Sequence, residues 1–170
     1  MSSALEFREP KASEQEGISR QRKTERQLVV ATQVVNPSTS DTFYIVTSLR
    51  QLTYDAATKG LVISTAEPEG DVKELRSQRL TMPTIRSLRP GASLSLRFAF
   101  PADVTKLIDI EPGRLITEVW HVTEARQIIL RVAFAKRAFR RMPDEIGASL
   151  RKSLREWQSV VETPVTSMKT

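Results

Sequence analysis

The run RQIILRVAFAK, residues 126–136, decides how this chain is read. Ile128, Leu130, Val132 and Phe134 alternate with Gln127, Ile129, Arg131 and Ala133, a period of two that predicts a strand with one face in an apolar core. Directly after it come Lys136, Arg137, Arg140 and Arg141, the start of the most basic segment of the chain. Upstream, LITEVWHVT (115–123) is also strand-like and only Glu124-Ala125 separates the two runs, so residues 115–136 are expected to form a hairpin. LSLRFAF (94–100) places Leu94, Leu96, Phe98 and Phe100 on one face, the pattern of a strand half buried on the same core.

Working back toward the N-terminus, LVVATQVV (28–35) ends at the turn Asn36-Pro37-Ser38, and FYIVTSLRQL (43–52) resumes the β-branched and aromatic character. LVIST (61–65) is a short strand, with Gly60 expected to supply a positive φ before it, and residues 79–82 suggest an edge strand before Pro83. Asp103, Asp109 and Glu111 fall in what reads as one loop. The fold expected is mainly β: an antiparallel immunoglobulin-like sandwich of about seven strands with a C-terminal amphipathic helix.

The helix is expected over residues 143–162. Ile146, Leu150, Leu154, Trp157 and Val161 recur at steps of three and four, after Pro143, Asp144 and Glu145 in a favourable first turn. Residues 163–170 are expected to be a tail, and residues 27–142 the sandwich. Residues 1–26 mix charges of both signs with few apolar groups, and are expected to be disordered or loosely attached.

Within the sandwich class, VVNPSTSDTFYIV (34–46) and IRSLRPGASLSLRF (85–98) resemble the arrangement in major sperm protein and pilus-chaperone-like sandwiches. The resemblance rests on Asn36, Pro90, Gly91 and the alternating apolar positions. It implies an immunoglobulin-like or fibronectin type III-like scaffold and does not itself imply an activity.

The totals exclude several classes of chemistry. There is no cysteine, so disulfides, thiolate nucleophiles and Cys-based metal or iron–sulfur sites are ruled out. His121 is the single histidine, which rules out a two-histidine metal site and leaves any His-based acid–base chemistry to one residue. Phosphate-cradling glycine loops and nucleophile elbows are missing, and the spacing of Asp103, Asp109 and Glu111 does not match a calcium loop. The expectation is a non-enzymatic protein with no cofactor and no bound metal. No run approaches 18 consecutive apolar residues, and MSSALEFREPKASEQEG lacks the apolar core of a secretory leader, so a cytoplasmic location is expected.

The net charge of +6, with 18 arginines to 8 lysines, points toward acidic partners. Two zones concentrate it. Arg137, Arg140, Arg141, Arg151, Arg155 and Trp157 form a candidate partner-binding set around the helix. Arg76, Arg79, Arg86, Arg89 and Arg97 form a second candidate patch in a stretch, Leu75 to Ala102, that has no acid at all. The reading is a protein-interaction or assembly component that binds a protein partner or a second copy through sheet edges, loops or the helix. The alternative is a nucleic-acid-binding protein using the arginine patches, or less readily an unrecognised enzyme; membrane-surface binding is disfavoured by the helix's modest apolar bulk.

Overall fold

The computed structural model describes residues 5–68, 82–111, 113–140 and 148–167. In chain order these form β1 (Glu6–Ile18), β2 (Thr24–Val35), β3 (Phe43–Val46), β4 (Gln51–Asp55), β5 (Gly60–Ser64), β6 (Ile85–Leu88), β7 (Ser93–Pro101), β8 (Asp103–Glu111), β9 (Arg114–His121), a single 3-10 turn (Val122–Glu124), β10 (Gln127–Ala135), α1 (Ala148–Trp157) and β11 (Ser159–Ser167). The protein is mainly β with one helix near its end, as the alternating runs predict.

Seven strands follow the order β4-β5-β10-β11-β1-β2-β7, with β3 attached to β10 and β6 to β3, while β8 and β9 pair only with each other. The sheet is mixed where an antiparallel one was expected, because β10 runs parallel to β5 and β11 parallel to β1. Since β11 pairs with both β10 and β1, the two halves are joined along that edge into a curled, half-barrel sheet that is only loosely sandwich-like.

The run 126–136 holds the centre. Ile128, Leu130 and Val132 are buried in the main core with Leu28, Val30, Phe43, Ile45, Ile63, Leu96, Phe98 and Phe100. Its other face is covered too: Ala133 and Ala135 join Val46, Ala66 and Trp157 in a second, smaller core beneath α1. Strand β10 therefore lies between two apolar layers, which is why its small and large residues alternate.

Four sequence expectations need correcting. Within residues 1–26, expected to be a loose tail, Glu6–Ile18 form β1, which pairs antiparallel with β2 from Glu6↔Val35 to Ile18↔Thr24. Apart from Ala12, β1 buries little, so it is held by its ladder and by Leu5 and Phe7 on the core, not by an apolar stripe visible in the sequence. The helix does not reach 162. It ends at Trp157, and the β-branched Val160, Val161, Thr163 and Val165 continue as β11, where residues 163–170 were expected to be a tail. Pro164 is tolerated because β1 pairs only with Thr166 and Ser167, leaving an open edge beside it.

Residues 115–136 are not one hairpin either. Strand β9 pairs with β8, and the 3-10 turn redirects the chain into β10 in the other sheet. Asp103, Asp109 and Glu111 accordingly lie along a strand and not in a loop. Finally, the left-handed residue before β5 is Lys59, with φ of 55°, and Gly60 is already the first residue of the strand. The expected edge strand at 79–82 falls, except for Met82, outside the described residues.

Candidate interaction site

The helix stripe is satisfied within the chain. Leu150, Leu154 and Trp157 are buried, the Trp157 ring meets Phe139 edge-on at 5.6 Å, and its indole N–H donates to the Arg137 carbonyl at 2.7 Å. Trp157 is thus a core residue, as expected of a stripe that packs on its own domain, and its edge also lines the hollow beside Arg137 and Arg140. Ile146 lies outside the described residues, and Val161 belongs to β11.

Arg151 is likewise structural. Glu67, 5% exposed, receives Arg50 Nη2 at 2.9 Å and Nε at 3.1 Å, with Arg151 Nε at 3.7 Å. The Gln158 side chain holds the Glu67 backbone at both ends, accepting from its N–H at 2.8 Å and donating to its carbonyl at 3.0 Å. The exit of α1 is thereby tied to the loop after β5. Of the first candidate set, Arg137 and Arg140 remain exposed together beside a hollow of about 660 Å³ that Tyr44, Phe139, Glu156 and Trp157 also line. Arg155 is half-buried, and Arg141 is outside the described residues.

The second candidate patch is described only in part. Arg76 and Arg79 lie outside the described residues. Arg86 is exposed on β6 in the β3–β6 ladder, Arg89 on the turn after it, and Arg97 on β7, two elements of different ladders. Arg97 has other company. The registers Lys11↔Ala31↔Arg97 and Arg8↔Gln33↔Ser95 put three cations on the outer face of β1-β2-β7, around a hollow of about 770 Å³ whose lining includes Ala31, Ser95 and Leu96.

That face is shaped by a bulge. Between Arg8 and Lys11, Glu9 and Pro10 stand opposite the single Thr32, with Glu9 at φ of 46°. Pro10 has no N–H to give the ladder, and the Thr32 hydroxyl donates instead to the Arg8 carbonyl at 3.0 Å. Arg8 and Lys11 were missed because their segment carries no strand signal of its own; only its partner β2 makes it a strand.

The most exposed apolar surface is elsewhere. In the β8–β9 ribbon, the pairs Thr105↔Val119, Leu107↔Thr117 and Asp109↔Leu115 share one face. Leu107, Leu115 and Val119 on that face are 52%, 61% and 48% exposed. The ribbon is rooted by Val104 and Trp120, which pack on the main core, and by the Lys106 ammonium 5.5 Å from the Trp120 ring centre. Beyond the root, every residue from Arg114 to Val119 is exposed, a reach of roughly 20 Å at about 3.4 Å per residue. Among the described residues, both outer edges of this two-stranded ribbon are unpaired.

His121 sits at the ribbon's base, its Nδ1 donating to Asp103 Oδ1 at 2.6 Å. That hydrogen bond, then the Asp103 charge, raises the imidazole pKa above its ordinary value of about 6.5. A raised native pKa favours folding while both states are protonated, below about pH 6.5, and the contribution is lost as pH rises through the native pKa. The His121 ring titration followed by NMR should therefore have its midpoint above 6.5, and Asp103→Asn should move it back down. An unchanged midpoint in Asp103→Asn would refute the pairing in solution.

Among the described residues, no three His, Asp or Glu side chains converge as a metal site would need, and no helix is long and apolar enough to cross a membrane. Asp103 and Asp109 are six residues apart on β8, about 20 Å in an extended strand. The chain matches no protein-family model, and comparisons with curated proteins and with solved structures returned no match.

Proposed function

We propose that this chain is a non-enzymatic protein-docking scaffold, with the β8–β9 ribbon as the element that meets the partner. The observation that carries this is the stripe of Leu107, Leu115 and Val119, about half exposed, on a ribbon whose two edges are open among the described residues. A two-stranded ribbon is marginal alone in water, and open edges and uncovered apolar faces are where other chains add. Covering the three side chains contributes on the order of 2–4 kcal/mol, since each is already half covered. The curled β scaffold suits this reading as a rigid body that presents a binding segment at its margin. Docking through the helix loses its basis once the α1 stripe is accounted for internally.

The test is a photo-reactive phenylalanine analogue placed at position 115, with a second placed at Lys152 on the exposed side of α1. In cells of the native source, irradiation should yield discrete protein adducts from position 115 and none from position 152. Absence of protein adducts at 115, or equal adducts at both, would defeat the reading.

A further inference from the structure

We infer that the occupant of the ribbon is a second copy of this chain, the ribbon of one docking on the outer β1-β2-β7 face of the next. The inference rests on the ribbon being the docking element and adds what it docks on.

Charge selects the surface. Residues 103–121 carry the acids Asp103, Asp109, Glu111 and Glu118 against the bases Lys106 and Arg114, a net of −2 within a chain of net +6, so the remainder carries +8. Ribbon against ribbon would bring together two surfaces of the same sign, whereas ribbon against body joins opposite ones. The outer β1-β2-β7 face adds the right shape. Arg8, Lys11 and Arg97 rim the hollow together with one acid, Glu9, which pairs with Lys11 at 3.6 Å, and Ala31 lies between Lys11 and Arg97 with Ser95 beside Gln33. Neighbouring strands lie about 4.8 Å apart, so the Lys11 and Arg97 backbones stand roughly 10 Å apart across β2.

A chain does not cover its own face. The ribbon leaves after Pro101, at the far end of β7 from Ser93, and none of its residues lines the hollow. Among the described residues its apolar stripe is exposed, and the one carboxylate on the rim of the hollow is that of Glu9. A contact between two different surfaces leaves one of each unfilled in a pair, so copies add head to tail, into a ring where the rotation closes and a filament where it does not.

Sedimentation velocity tests this on the whole chain. The wild type at high micromolar concentration and low salt should sediment as species larger than a monomer, and approach the monomer near 1 M salt, where charges are screened within about 3 Å. Leu115→Asp and Arg97→Glu, both at exposed positions and checked for native circular dichroism, should each weaken association at least ten-fold. Mixed together they should form a one-to-one dimer and nothing longer, because the first keeps an intact face and the second an intact ribbon.

Association that Leu115→Asp abolishes and Arg97→Glu leaves unchanged would mean symmetric ribbon pairing and overturn the inference. A wild type that stays monomeric at low salt would also overturn it. A monomer that retains an oligonucleotide through Arg8, Lys11 and Arg97 would assign the face to nucleic acid instead. In any of these cases the docking reading survives if position 115 still gives protein adducts, and fails separately if it does not.

Discussion

Asn36→Asp should destabilise the fold by about 3–5 kcal/mol, the range of a buried hydrogen-bond cluster left unsatisfied. Asn36 is fully buried, and its amide nitrogen donates to the Asp41 carbonyl at 2.8 Å and the Leu88 carbonyl at 2.9 Å while its side-chain oxygen accepts from the Ser38 N–H at 2.9 Å. Only one orientation of the amide satisfies all three. Its backbone is engaged as well: its N–H donates to the Ala92 carbonyl at 3.0 Å, and its carbonyl accepts from the Gly91 N–H at 2.9 Å. One residue thus fastens the turn after β2 to the end of β6 and to the turn before β7. Aspartate keeps the size and the acceptor but turns an oxygen toward two carbonyl oxygens, so it should be at least as damaging as Asn36→Ala. Urea denaturation monitored by circular dichroism reads the loss directly, with the slope unchanged. At about 2–4 °C per kcal/mol for a chain of this size, the melting midpoint should fall by roughly 6–20 °C. A loss below 1 kcal/mol in Asn36→Asp would show that the cluster does not hold the turns.

Asn36, Pro90 and Gly91 were also the few residues on which the sequence resemblance to sandwich families rested, and the structure brings the two turns they mark into contact. What was legible in the sequence is what burial writes there. The alternation in 94–100 and 126–136 marks the strands on the main core because one side of each is excluded from water. What was not legible is held by partners. Strand β1 fully buries only Ala12 and is ordered by a ladder with β2, so its composition is that of a solvated tail. The same reason hid Arg8 and Lys11, and it misdirected Arg97 into a patch defined by sequence neighbours instead of cross-strand neighbours. The pairing of β8 with β9 hid the ribbon: its apolar residues alternate like those of a core strand, yet the face they form meets water. Period alone says which residues share a face and leaves open whether anything covers it. At the C-terminus, a helical spacing and a β-branched run overlap around Val160 and Val161, and tertiary pairing with β10 chose the strand.

Glu67→Ala should cost about 3–5 kcal/mol, because it strands two arginines that are mostly out of solvent. The Arg50 side chain is 12% exposed and that of Arg151 20%, so water restores little of what the carboxylate supplies. Glu67 is the carboxylate that Arg50 and Arg151 share, and losing it brings their like charges to bear on each other. The same logic predicts a rescue: replacing Arg50, Glu67 and Arg151 together by Met, Leu and Met should recover most of the loss, since apolar groups of similar volume remove the buried charge altogether. A double-mutant cycle between Arg50 and Glu67 should return a coupling of about 1–3 kcal/mol. The site of first failure is also specified. Because Gln158 grips the Glu67 backbone where α1 ends, weakening this loop should loosen α1 and the small core around Trp157 before the main core around Leu130. In a Trp120→Phe background, Trp157 fluorescence should shift to the red at lower urea in Glu67→Ala than the far-ultraviolet signal of the strands is lost. If the two transitions coincide, α1 and the sheet unfold as one unit. If Glu67→Ala matches the wild type, the buried carboxylate is not what holds Arg50 and Arg151 in place.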